Sequence, residues 1–61
     1  MSVSNILEIH RLKNLKNDLV NDYFYFMSNI HDEEEIASIL DEIEVEIESI
    51  EAKIAALESE K

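Results

Sequence analysis

A chain of 61 residues has room for one domain, and without cysteine it can carry neither a disulfide framework nor a thiolate metal site. Its 15 acidic residues against 5 basic ones give a formal net charge of -10, which disfavours nucleic acid and anionic membrane as partners and favours basic protein surfaces. So short a chain buries only a thin core, so added stability is expected from self-association or from a partner.

The N-terminus offers three candidate helix caps in Ser2, Ser4 and Asn5, and Asn5 with Glu8 has the spacing of a capping box. Its start, Met1-Ser2-Val3-Ser4, has neither the basic residues nor the apolar run of a secretory leader. From about residue 5 to residue 29 the apolar spacing is helical. Ile9, Leu12, Leu19, Tyr23, Phe26 and Ile30 share one face, interrupted by Lys16, whose stem can snorkel outward while Leu15 covers the gap. A second stripe, Val20, Phe24 and Met27, runs along the side, so the last two turns are apolar over most of their circumference.

No Gly or Pro marks a turn, yet the pattern breaks near Ser28–Asp32. Asp32 followed by Glu35 is a capping box, and Glu33, Glu34 and Glu35 place negative charge at the positive end of a new helix. Asn29 is the non-glycine residue best suited to a left-handed helix stop. The hydrophobic phase also slips. Continuing the first heptad beyond Ile30 would bury Glu33 and Ala37, whereas the observed seam restarts at Ile36 and Leu40. A turn at about 29–32 is therefore expected, with one continuous helix as its rival.

From 33 to about 60 the chain carries an unbroken heptad seam. Leu40, Ile47 and Ile54 occupy its a positions, and Ile36, Ile43, Ile50 and Leu57 its d positions. Folding back about the turn sets Ile9 against Ile54, Leu12 against Ile50, Leu19 against Ile43, Tyr23 against Leu40 or Ile39, and Phe26 against Ile36. It also brings Arg11 toward Glu51 and Lys16 toward Glu46. A parallel dimer of the second helix would instead set Glu46 against Glu51 of the other chain. The predicted fold is all-α, residues 1–61 forming one antiparallel, coiled-coil-like hairpin. Such a hairpin leaves Val20, Phe24, Met27 and Ile39 uncovered, with Tyr25 and Val45 also facing outward. The economical expectation is a homodimer, two hairpins closing a four-helix bundle.

The charge is divided between the helices. Residues 1–31 balance Glu8, Asp18 and Asp22 with Arg11, Lys13 and Lys16, and the whole acidic excess lies in 32–61. Glu33, Glu34, Asp41, Glu42, Glu44, Glu48 and Glu51 are the candidate partner-binding residues of this acidic face. In charge and elongated shape, and in no motif, it resembles small viral inhibitors that occupy basic grooves of nucleases and polymerases. The plain alternative is that these acids only keep a helix soluble.

No catalytic, cofactor or metal site is expected. His31 and the acids after it have the right donor chemistry for a metal, but successive helical residues point in different directions, and capping accounts for them. His10 lacks the partners of a nucleophilic triad. The aromatic run Tyr23–Phe26 has the wrong surrounding charge for stacking nucleic-acid bases. No apolar run approaches the ~18 residues needed to cross a bilayer. The sequence thus predicts a non-catalytic cytoplasmic module, in the host cytoplasm if it is phage-encoded, that inhibits or regulates a larger protein with a basic surface. A structural oligomerisation or scaffolding element is the second reading.

Overall fold

The computed structural model describes residues 2–60. Two helices, α1 (Val3–Asn29) and α2 (Glu33–Glu58), pack against each other as an antiparallel hairpin. The rod measures 46 × 14 × 9 Å, of which a helix of about 27 residues rising ~1.5 Å each accounts for roughly 40 Å.

Local chemistry sets the helix ends. Ser2 is the N-cap of α1, and its Oγ accepts a hydrogen bond from the Asn5 N–H at 3.1 Å. The helix thus starts two residues before Asn5, and the Asn5–Glu8 capping pair does not form. Asn5 instead extends its amide Nδ2 across the hairpin to Glu60 Oε2. At the far end the structure corrects the expected left-handed stop. No non-glycine residue among those described has a positive φ. Asn29 is the last helical residue of α1, and its Nδ2 donates back to the Tyr25 carbonyl at 2.7 Å. The chain leaves the helix through Ile30, at φ -107° and ψ 124°. A β-branched side chain tolerates this extended backbone well, so the reversal needs neither glycine nor a left-handed residue.

Asp32 opens α2 as the sequence suggests. Its carboxylate accepts the Glu35 N–H at 2.9 Å, and Glu33, Glu34 and Glu35 fill the first turn, where a negative charge meets the helix's partial positive end. Ser59 closes the helix, its Oγ donating to the Ala56 carbonyl at 2.9 Å.

The core lies toward the open end of the hairpin. Ile9, Leu12, Ile50 and Ile54 form one buried cluster, with Leu19 and Leu57 packed against it. Ile43 is buried nearer the turn. The pairs Ile9/Ile54 and Leu12/Ile50 expected from the fold-back therefore share one cluster. Around the turn, Tyr23, Phe26, Ile30, Ile36 and Leu40 are only half-buried. Two helices alone cannot enclose side chains of that size. No helix among the described residues is long and apolar enough to cross a membrane.

Candidate interaction surfaces

Polar contacts between the helices reveal two edges flanking the seam. On one edge Lys13 Nζ lies 3.9 Å from Glu58, Lys16 Nζ lies 3.5 Å from Glu51, and the Tyr23 hydroxyl donates to Glu44 Oε1 at 3.2 Å. Glu44, Glu51 and Glu58 are seven residues apart, so they form one line along α2. Lys13, Lys16 and Asn17 with Glu51, Ala55 and Glu58 line an open groove on this edge, floored by Ile54.

These contacts correct the charge pairing read from the sequence. Lys16 meets Glu51 rather than Glu46, because a lysine rising from the middle of the seam must lean to one edge to reach water. Arg11 makes no contact with Glu51. Its guanidinium is held by Glu8, one turn earlier on the same helix, through Nε at 3.1 Å and a shorter bond from Nη2. Hydrogen bonding to Arg11 is the main reason that the Glu8 carboxyl titrates below its ordinary value of 4.5; its charge and that of Lys53 add to the effect.

The residues expected to carry partner contacts divide by environment. Glu44 accepts the Tyr23 hydroxyl and Glu51 faces Lys16, so both are engaged within the hairpin. Glu33, Glu34, Asp41, Glu42 and Glu48 are exposed, and none has an ion pair or side-chain hydrogen bond among the described residues. Asp41 approaches the engaged edge closely enough that its charge, after the Glu44 hydrogen bond and desolvation, helps push the Tyr23 phenol above its ordinary range. Glu34, Asp41 and Glu48 are seven apart and run as a line of unpaired carboxylates beside Glu44 and Glu51.

The apolar residues also divide. Phe24 and Met27 are exposed and Val20 is half-buried. All three lie on the same edge as Lys13, since Val20 and Met27 follow it at seven-residue steps. Tyr23 packs against Phe24 edge to face, with ring centroids 5.8 Å apart, which holds the Phe24 ring on this edge. Ile39 does not join them. It precedes Leu40 whereas Glu44 follows Ile43, so the seam separates Ile39 from Glu44's edge. Half-buried Ile39 shares the opposite edge with Glu46 and Lys53. Tyr25, edge to face with Phe26 at 5.6 Å, and Val45 point outward elsewhere.

Val3 and Ile6, outside the apolar patch expected from the sequence, are also exposed. Their signal was present in the spacing, because the Val20–Phe24–Met27 stripe runs back at steps of three and four through Asn17, Lys13 and His10 to Ile6 and Val3. Three polar residues in succession had hidden its continuity.

No family model, curated protein or solved structure matches this chain. Among the described residues no three His, Asp or Glu side chains come together as a metal site. What these surfaces offer is a row of carboxylates on one helix and a discontinuous apolar row on the other.

Proposed function

We propose that this chain is a non-catalytic protein-binding module that docks on a larger partner with a basic surface, as a stoichiometric inhibitor or regulator. The supporting observation is the exposed line of Glu34, Asp41 and Glu48, together with Glu33 and Glu42, none of which has an ion pair among the described residues. Lys13, Lys16 and Arg11 are committed to Glu58, Glu51 and Glu8. The remaining acidic charge is spread along a rod 46 Å long, a form suited to a basic groove that ordinarily receives nucleic acid. Mimicry of nucleic-acid charge by a phage-encoded protein in its host's cytoplasm is the sharpest version of this reading.

The test compares the native chain with a variant carrying Asp41→Asn, Glu42→Gln and Glu48→Gln in affinity capture from cell lysate. A specific basic partner should be retained by the native chain, released as salt rises, and lost from the variant, because surface attraction is screened over ~8–10 Å near physiological ionic strength. Equal retention of the same partner by both chains sinks the proposal.

A second reading, a structural element whose role is assembly of helical bundles, rests on the exposed Phe24 and Met27. Large apolar side chains gathered on one edge of so small a chain are characteristic of an interface.

A further inference from the structure

The row Val3, Ile6, His10, Lys13, Asn17, Val20, Phe24 and Met27 advances by alternating steps of three and four, which makes it a second seam on α1 beside the one facing α2. Val3 is 73 % exposed, Ile6 42 %, Phe24 55 % and Met27 48 %, so half of the eight large exposed hydrophobics among the described residues lie on this row. Its composition is symmetric about the level of Leu15 except at one pair, where polar His10 falls opposite apolar Val20. Apolar residues stand at both ends, and polar His10, Lys13 and Asn17 stand in the middle.

We propose that this row is a homodimer interface in which α1 packs antiparallel against α1 of a second copy, about a two-fold axis at the level of Leu15. In that register Val3 meets Met27, Ile6 meets Phe24, His10 meets Val20, and Lys13 meets Asn17 of the other copy. Each pairing occurs twice. An isologous contact requires such self-complementarity, because every residue must fit the residue that the axis places opposite it. A parallel pairing of the same row would set Lys13 against Lys13 and His10 against His10.

Charge selects a second copy over a foreign partner for this row. Among the residues of α1, Glu8, Asp18 and Asp22 balance Arg11, Lys13 and Lys16, so two copies of α1 approach without net repulsion. Lys13, the charged residue of the row nearest the axis, already faces Glu58 at 3.9 Å, which offsets its charge against its symmetry mate. The row also lies about a quarter turn or more around α1 from the seam, at ~100° per residue. The two α2 helices therefore stand farther apart than the two α1 helices, and their carboxylates face each other across solvent. This interface does not depend on the acidic face having a partner. Salt separates the two: screening should tighten the homodimer by weakening repulsion between its acidic helices, whereas it should loosen a bound basic protein.

The test uses full-length chains and places one cysteine in each of two variants, Ile6→Cys and Phe24→Cys, which is clean because the native chain has none. Mixed in equal amounts and oxidised at equilibrium, they should yield mainly the crosslink between position 6 of one chain and position 24 of the other. Sedimentation should show the native chain as a dimer, and Phe24→Glu should weaken it by on the order of tenfold or more. A chain carrying both Ile6→Glu and Phe24→Lys should recover dimerisation, since each Glu then faces a Lys. That variant also guards against reading a folding defect as lost association. Predominant crosslinking of position 6 to position 6, or a native chain that is monomeric up to millimolar concentration, overturns the proposal.

Discussion

The Tyr23 hydroxyl donates to the Glu44 carboxylate at 3.2 Å, joining the aromatic end of α1 to the acidic edge of α2 across 21 residues of chain. Tyr23 occupies a seam position, so its ring contributes to the half-buried layer between the helices while its polar tip leans to the edge. Ionising the phenol would place a second negative charge beside Glu44 and Asp41. The hydrogen bond to Glu44, then desolvation and these charges, accordingly raise its pKa above the ordinary value of 10.0.

A folded-state pKa above the unfolded value contributes stability that is complete below about pH 10 and is lost as pH rises through the folded value. In a Tyr25→Phe background, where Tyr23 is the sole tyrosine, ultraviolet titration should show the phenol ionising above the ordinary range. Glu44→Gln should bring it back down. An unchanged titration in Glu44→Gln would contradict this contact.

The Glu8–Arg11 pair has the opposite sign. A depressed carboxyl pKa contributes stability that is present above the unfolded value near 4.5 and is lost as pH falls through the folded one. Arg11→Ala should raise the Glu8 pKa, as followed by the NMR shift of its carboxyl carbon. Both partners are exposed, so the variant should unfold at nearly the native temperature.

Truncating the core should be far more costly. Leu12 is 3 % exposed, inside the cluster with Ile9, Ile50 and Ile54. Leu12→Ala should destabilise by about 2–5 kcal/mol, comparable with the whole stability of a hairpin this small. Loss of most helical circular dichroism at room temperature is the expected result, whereas Val45→Ala on the outer face should leave it intact.

Lys16 stands where the α1 seam calls for an apolar residue, with its side chain 37 % exposed and its amine reaching Glu51. An exposed ion pair contributes ~0–1 kcal/mol, less than the ~1.5–3 kcal/mol from burying a leucine completely. Lys16→Leu should therefore stabilise the fold, by about 1 kcal/mol given the partial exposure of the site. Urea denaturation reads this directly, and a lower midpoint at unchanged slope would refute it.

The turn supplies a paired prediction. Asp32→Ala removes the N-cap of α2 and should cost about 1 kcal/mol. Asn29→Gly would stabilise a left-handed stop, but Asn29 is helical and bonds the Tyr25 carbonyl. The substitution should instead destabilise, by roughly 0.5–1 kcal/mol. Thermal unfolding of both variants decides the point.

The turn shows how far local pattern carries. Asp32, Glu35 and the phase slip after Ile30 located the break correctly, because capping and heptad phase are properties of neighbouring residues. How the chain left α1 was not legible, since an asparagine can accept a left-handed backbone or cap a carbonyl, and the path to Asp32 settles which. Edge contacts were missed for a related reason. The fold-back predicted which apolar residues face one another, yet Lys16 and Arg11 have stems long enough to reach several acids. Val3 and Ile6 escaped notice because His10, Lys13 and Asn17 divide their row from Val20, Phe24 and Met27.

Sequence alone determined two helices, the break between them, the apolar seam that joins them and the concentration of charge on α2. Each follows from 3.6-residue periodicity or from a cap a few residues long, and so needs no knowledge of distant contacts. Only the tertiary structure decided which acids are already engaged and to which edge Lys16 leans. Those outcomes depend on the relative rotation of two helices about their common seam, a quantity set by packing along the whole interface and carried by no single stretch of chain.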